Sequence, residues 1–148
     1  MEPRQTLFWE IKSLLQNAFA DRLTTNSDGS FLYIEETGFW IGSNPNSLLI
    51  GFEYCYENYN NSDIAADSDR IYQSIFKLLT NRIKITKYFK GEQMFKTKLE
   101  VEINENQLEK IGSESALLFY YWKKTTTETE FKPKIIEKSL LQHYRDNH

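Results

Sequence analysis

Apolar residues recur at spacings of three and four in three stretches of the chain. These stretches are residues 3–23, a segment within 64–82, and the residues that follow Pro133. This spacing places the apolar side chains on one face of an α-helix, so each stretch is predicted to be a helix with one buried face. Residues 104–112 begin with a plausible asparagine cap and end in glycine, which predicts a fourth, short helix.

Between these helices, aromatic and β-branched residues alternate with polar ones, which is typical of strands. Residues 31–56 are predicted to form three short strands, the last of them over 48–56. Apolar and polar residues alternate over residues 83–103 on both sides of Gly91, and this pattern predicts the clearest hairpin in the chain.

Three further segments complete the pattern. Residues 57–67 are rich in Asn, Asp and Ser and are predicted to be a mobile loop. Residues 115–122 are apolar on both faces, which predicts a central strand, and Phe131 is assigned to an edge strand. The C-terminus is expected to be frayed.

The predicted order of elements is α-βββ-α-ββ-(α)-β-(β)-α. Hairpins and meanders dominate, and strand–helix–strand alternation is weak, which indicates the α+β class. We therefore expect a single domain over residues 1–148, with an antiparallel sheet of about five to seven strands and helices mainly on one face.

Composition excludes several classes of protein. With 148 residues, 40% of them apolar and 15% aromatic, the chain can build one core and is too apolar for a disordered segment. Its net charge of -3 argues against general nucleic-acid binding. A single cysteine cannot form an internal disulfide, and one cysteine with two histidines cannot form a Cys-rich zinc site. Neither a metal nor a cofactor is predicted.

The sequence also constrains where the protein works. No apolar run is long enough to span a membrane, and the N-terminal residues include acids where a signal peptide would have its apolar centre. We therefore expect a soluble, cytoplasmic protein with no membrane partner. A homodimer is compatible with the sequence, which does not determine the oligomeric state.

The distribution of charge is the least ordinary feature of the chain. Between Arg22 and Arg70 there is neither Lys nor Arg. This base-free stretch contains eight acids, which are Asp28, Glu35, Glu36, Glu53, Glu57, Asp63, Asp67 and Asp69. It also contains eight aromatic residues, which are Phe31, Tyr33, Phe39, Trp40, Phe52, Tyr54, Tyr56 and Tyr59. Residues 84–98, in contrast, carry five lysines against one glutamate.

Two interpretations of the base-free stretch remain open. An acidic rim speeds encounter with a basic partner, and Tyr and Trp supply interface anchors, so the stretch could be a docking face. Alternatively, the acids are a solvated surface and the rings, about half of which must point inward from a strand, belong to the core. The first interpretation selects six partner-binding residues, which are Trp40, Glu53, Tyr54, Tyr56, Glu57 and Tyr59.

A second hypothesis is a small-ligand pocket enclosed by a curved antiparallel sheet and its helices. Five aromatic residues would line it, namely Trp40, Tyr54, Tyr56, Tyr120 and Trp122. The direction in which these rings point distinguishes such a pocket from a filled core.

No catalytic residue is predicted. The chain lacks both a glycine-rich phosphate loop and the Gly-x-Ser-x-Gly pattern of serine hydrolases. Cys55 and His143 are better explained as a core thiol and a structural histidine than as a nucleophile and its base.

A third hypothesis is a metal-dependent nuclease. Glu130-Phe131-Lys132 has the Glu-x-Lys spacing of such enzymes, and Glu53 or Asp63 could supply a second acid for the metal. The tripeptide is common by chance, and an obvious basic groove for DNA is lacking.

The order helix, three strands, helix, strands, helix is broadly similar to that of small acidic secretion chaperones. It also falls within the range of bacterial toxin-neutralising immunity proteins. The resemblance covers topology, size and acidity, and no motif carries it. It implies a non-enzymatic protein-binding module whose acidic, aromatic face binds a basic partner protein.

Overall fold

The computed structural model describes residues 2–104, 107–115 and 124–146, and the side chains of residues 111–115 lie outside this description. Within these ranges the chain forms four α-helices and nine strands, which confirms the α+β class. The strands divide between two antiparallel sheets, in place of the single sheet expected from the sequence. Sheet A has five strands and sheet B has four.

The helices are α1 (Pro3–Phe19), α2 (Asn61–Ala66), α3 (Ser68–Thr80) and α4 (Lys138–Asp146). The strands of sheet A are β1 (Leu23–Thr25), β2 (Phe31–Ile34), β3 (Phe39–Ser43), β4 (Ser47–Phe52) and β5 (Cys55–Asn60), paired in chain order. The strands of sheet B are β6 (Arg82–Lys90), β7 (Gln93–Asn104), β8 (Gln107–Ser115) and β9 (Thr125–Lys132), paired in the order β8-β7-β6-β9.

Helix α1 covers the inner face of sheet A. It begins at Pro3, whose missing N–H would have no partner in a first turn, and its buried side chains include Ile11, Leu14 and Leu15. The helix contacts β1, β3 and β4. The predicted helix over 3–23 is therefore confirmed as far as Phe19, after which one turn of 3-10 helix leads into β1. In the described ranges, no helix combines the length and the apolar content needed to cross a membrane.

Both sheets contribute to one hydrophobic core. The alternation of sheet A buries Leu32 and Ile41, and the predicted hairpin of sheet B buries Ile85 and Val101 in the same cluster. Strand β5, at the edge of sheet A, lies against β7 and β8. The predicted hairpin is confirmed as β6 and β7. The predicted edge strand that contains Phe131 is confirmed as β9.

The predicted loop over residues 57–67 is wrong, because this segment forms the end of β5 and then helix α2. All six residues of β5 pair with β4. The polar residues that suggested a loop have other roles, since Asn60 and Asp63 exchange hydrogen bonds that cap α2. The predicted third strand over 48–56 is likewise two strands, because the chain reverses at a turn over Glu53 and Tyr54.

The predicted short helix over 104–112 is also wrong. Strand β7 continues to Asn104, and β8 runs back along it from Gln107. Pairing with a neighbouring strand satisfies the same backbone groups that a helix would, so the cap-like residues did not decide the structure. The predicted strand over 115–122 lies almost wholly outside the described residues, and the last helix begins at Lys138, later than Pro133.

Candidate functional site

The alternation of sheet A separates the six predicted partner-binding residues into an outer and an inner set. Trp40 and Tyr56 lie on the outer face, opposite the face covered by α1. Glu53 and Tyr54 lie in the turn between β4 and β5, and Tyr54 is 66% exposed. Glu57 and Tyr59 share the inner face of β5, because they pair with the buried residues of β4.

The inner pair, Glu57 and Tyr59, is held within the molecule. Tyr59 is 4% exposed, and its hydroxyl donates a hydrogen bond to the Glu57 carboxylate. The same hydroxyl lies 3.3 Å from Ser74 Oγ on α3. Burial, and next the bond to Glu57, raise the pKa of Tyr59 to about 12. This arrangement ties β5 to α3 and leaves the Tyr59 ring unavailable to a partner.

Four rings form a continuous patch on the outer side of sheet A, which we call the aromatic face: Phe31, Tyr33, Trp40 and Tyr56. The planes of the Phe31 and Trp40 rings are inclined by 28° with their centroids 5.5 Å apart, and the Trp40 and Tyr56 centroids are 5.9 Å apart. Tyr33 and Tyr56 are 40% and 44% exposed. A contiguous patch of aromatic rings on the solvent-facing side of a sheet is unusual, because burial in the core would stabilise these rings more.

The indole of Trp40 is fixed in place by two features. Its Nε1–H donates a hydrogen bond of 2.8 Å to the Glu53 carbonyl oxygen. The ring also covers Gly51 on the neighbouring strand, where a Cβ atom would overlap it. Only glycine leaves room for the indole at this position, so the sequence of β4 determines how the ring lies.

Beside the aromatic face lies a groove of about 600 Å³ between the two sheets. Its floor includes Phe31, Tyr33 and Trp40, and the turns that end β2 and β4 form one wall. Strands β6 and β9 form the opposite wall. Five charged side chains line this groove, namely Glu36, Glu53, Lys87, Glu130 and Lys132.

Lys132 links the two walls of the groove. Its Nζ lies 2.8 Å from Glu130 Oε1 and 3.5 Å from Glu53 Oε1. The bond between Lys132 and Glu130 lowers the pKa of the Glu130 carboxyl and raises the pKa of the Lys132 ammonium. Glu36 differs from these residues, because its carboxylate forms no hydrogen bond or ion pair with any residue in the described ranges.

The Glu-x-Lys tripeptide therefore meets a second acid, Glu53, as the nuclease hypothesis requires. Asp63 is elsewhere, in the cap of α2. However, the Lys132 ammonium contacts both carboxylates and offsets one of their two negative charges, so a metal ion would meet a positive charge there. Across the part of the chain that the structure describes, no three His, Cys, Asp or Glu side chains are placed to hold a metal.

The acids of the base-free stretch do not form one negative surface. Asp63 and Asp67 cap α2 and α3, and Asp69 pairs with Arg145 at 3.5 Å. Asp28 accepts hydrogen bonds from Ser30, which lower the pKa of its carboxyl. Two of the eight acids, Glu36 and Glu53, line the groove. Negative charge near the aromatic face is therefore local.

Sequence reasoning did not single out Phe31, Tyr33 and Glu36 as site residues. Phe31 and Tyr33 alternate with the buried Leu32 and Ile34, so the outward direction of these rings was available from the period of the strand. The contribution of Lys87 from sheet B had no local signal, because it depends on how the two sheets meet.

Comparison with known proteins provides no precedent for this groove. No family model matches the chain, and the searches of curated proteins and of solved structures found no match either. The basis for assigning a function is therefore the arrangement of side chains in the groove and on the aromatic face.

Proposed function

We propose that this protein is a non-enzymatic, cytoplasmic protein-binding module that is chaperone-like or immunity-like. The aromatic face and the adjoining groove bind a basic segment of a partner protein. The observation that carries the proposal is the solvent-facing set of contacting rings Phe31, Trp40 and Tyr56 beside the carboxylates of Glu36 and Glu53.

The aromatic face supports binding because large rings that remain exposed gain most when a partner covers them. Tyr and Trp are enriched among the residues that dominate binding energy, since they bury much area and lose little side-chain entropy. Trp40 is already fixed by Glu53 and Gly51, so a partner does not have to order it.

The charges around the groove favour a basic partner. Three glutamates and two lysines line it, and the Lys132 ammonium is engaged by Glu130. The remaining carboxylates lie beside aromatic rings, whose faces attract cations. The net charge of -3 on the whole chain acts in the same direction by steering positively charged segments toward the protein.

Affinity capture from the native host with matched variants tests the proposal. Tyr33→Ala/Tyr56→Ala removes two exposed rings and leaves Trp40 in place. We expect the wild-type protein to retain a basic partner at low salt and to release it at high salt. The double variant should retain at least tenfold less of this partner.

The matched control is Trp9→Ala, which removes a ring that is 59% exposed on α1, away from the aromatic face. This variant should capture the partner as the wild type does. Equal capture by the double variant, or no partner at either salt concentration, would refute the proposal.

One observation favours a small-ligand site as the second candidate function. The groove has a volume of about 600 Å³ and brings polar groups together over an aromatic floor, as ligand pockets do. Trp40 and Tyr54 line it, Tyr56 lies on the adjacent face, and Tyr120 and Trp122 are outside the described residues. A metabolite screen by thermal shift distinguishes this candidate, because a ligand would raise the melting temperature when no partner protein is present.

A further inference from the structure

We propose that the groove binds the guanidinium group of an arginine side chain, which stacks on Trp40 and pairs with the Glu36 carboxylate. This inference rests on the proposed function and names the chemical group of the partner that the site selects. Three observations carry it: the orientation of the indole, the carboxylate of Glu36, which has no partner within the described ranges, and the way Lys132 is held.

Trp40 offers a flat surface of the kind that a guanidinium requires. One face of the indole covers Gly51, and the ring also lines the groove. A planar, weakly hydrated guanidinium stacks on such a ring, whereas a lysine ammonium is a compact and strongly hydrated charge. The geometry therefore favours arginine over lysine.

Glu36 supplies the charge that the guanidinium needs. Its carboxylate has no partner among the described residues, and it lines the same groove as Trp40. Carboxylates bind guanidinium groups through two parallel N–H donors, which fixes both position and orientation. An arginine that stacks on Trp40 with its planar group directed toward Glu36 satisfies both residues at once.

The other charges of the groove are consistent with this placement. Lys132 is held closely by Glu130 at 2.8 Å and more loosely by Glu53 at 3.5 Å, so Glu53 retains capacity to accept a second donor. An anionic ligand would instead meet the carboxylates of Glu36, Glu53 and Glu130. The ammonium of Lys87, on the opposite wall, acts on Glu130 instead, because its charge, after the bond to Lys132, contributes to the lowered pKa of that carboxyl.

The backbone at the two turns of the groove points to the same residues. Glu36 and Glu53 both have left-handed backbone conformations, with φ of 65° and 54°. Glycine adopts this conformation without a steric penalty, whereas a glutamate there is strained. Strain of this kind clusters at binding and active sites.

The probe is a short, blocked Gly-Ser peptide with one central arginine. It is compared with the same peptide carrying citrulline, a neutral isostere, or lysine. Binding is followed by NMR through the indole N–H signal of Trp40, which is assigned by its loss in Trp40→Phe. We expect saturable shifts with the arginine peptide, binding at least tenfold weaker with citrulline, and several-fold weaker binding with lysine.

The matched variants are Glu36→Gln and Glu35→Gln, which each remove one negative charge from neighbouring positions. The Glu35 carboxylate accepts a hydrogen bond from Thr24 Oγ1 and does not line the groove. Glu36→Gln should weaken binding of the arginine peptide about tenfold, and Glu35→Gln less than twofold. Glu36→Gly should lose binding and yet melt at a higher temperature, which separates loss of recognition from loss of folding.

Two results would overturn this inference: equal binding of the arginine and citrulline peptides, or unchanged binding in Glu36→Gln. In either case the proposed function would still stand if Tyr33→Ala/Tyr56→Ala lost a partner that Glu36→Gln retained. If the host partner were also captured equally by the ring variant, both the inference and the proposed function would fail.

Discussion

Gly51 is the residue that determines how the aromatic face is arranged. It pairs with Trp40 across β3 and β4, and with Tyr56 across β4 and β5. Because it has no side chain, the indole occupies the space above its backbone and reaches the Glu53 carbonyl oxygen. A single missing methyl group therefore places the ring at the centre of the proposed site.

We predict that Gly51→Ala destabilises the protein by about 1–3 kcal/mol, because the new methyl group overlaps the indole and forces it to move. The displaced ring also loses its hydrogen bond to Glu53. Urea unfolding measures the free energy, and the indole N–H signal of Trp40 reports the displacement.

Gly42→Ala is the matched control for this change. Gly42 lies on the same outer face, but a Cβ atom there would be 3.6 Å from the Phe31 and Trp40 rings, an ordinary contact distance. Its free energy of unfolding should therefore change by less than about 1 kcal/mol. A Gly51→Ala protein as stable as Gly42→Ala, with an unmoved indole signal, would contradict the account of Trp40.

At the scale of elements, the segment from β5 through α2 to α3 shows how polar residues define boundaries. Asn60 Oδ1 accepts a hydrogen bond of 2.9 Å from the Asp63 N–H, and the Asp63 carboxylate accepts one of 3.0 Å from the Asn60 N–H. The Asp67 carboxylate accepts a bond from the Arg70 N–H at the start of α3. Two short-range caps thus define where β5, α2 and α3 begin and end in a segment whose composition is typical of a loop.

We predict that Asn60→Ala lowers the free energy of unfolding by about 1 kcal/mol, because the first turn of α2 loses its side-chain acceptor. Chemical denaturation measures this change. Asn58→Ala serves as the control, because Asn58 is an exposed residue of the same strand. Equal stability of the two variants would show that the cap contributes nothing.

At the scale of the whole molecule, two buried tyrosines link the sheets and helices through carboxylates. Tyr59 on β5 contacts Glu57 and lies near Ser74 of α3. Tyr72 on α3 donates to Glu10 of α1 at 3.2 Å, and Arg145 of α4 lies over its ring. Burial, followed by the influence of Glu10, raises the pKa of Tyr72, as burial and Glu57 raise that of Tyr59.

These raised pKa values predict a loss of stability in alkali. A tyrosine in the unfolded chain ionises near pH 10, whereas Tyr59 in the folded protein has a pKa of about 12. The folded state therefore binds the proton more tightly, and its stabilising contribution is complete below about pH 10. This contribution is lost as the pH rises from about 10 through about 12.

Urea unfolding from roughly pH 8 to roughly pH 12 tests this pH dependence, because the range starts below the titration of an unfolded tyrosine and extends through that of Tyr59. The free energy of unfolding of the wild type should decline steadily above about pH 10. Tyr59→Phe and Tyr72→Phe should each decline less steeply, since each removes one titrating group. Identical slopes in all three proteins would refute the proposed linkage.

Local pattern alone predicted the α+β class, helix α1 and the hairpin that became β6 and β7. It predicted them because the period of apolar residues is a short-range property that secondary structure follows directly. The same pattern distinguishes the outward Tyr33 from the buried Leu32 and Ile34. Composition was less informative, as the incorrect loop over 57–67 shows.

Only the tertiary structure decided the remaining features. The reversal at Glu53 and Tyr54 and the pairing of β8 with β7 depend on which distant backbone groups meet. The groove, where Glu53 of sheet A meets Glu130 and Lys132 of sheet B, depends on how two sheets pack around a shared core. Such contacts join residues far apart in sequence, and no local periodicity encodes them, because their energies arise only when the chain has folded.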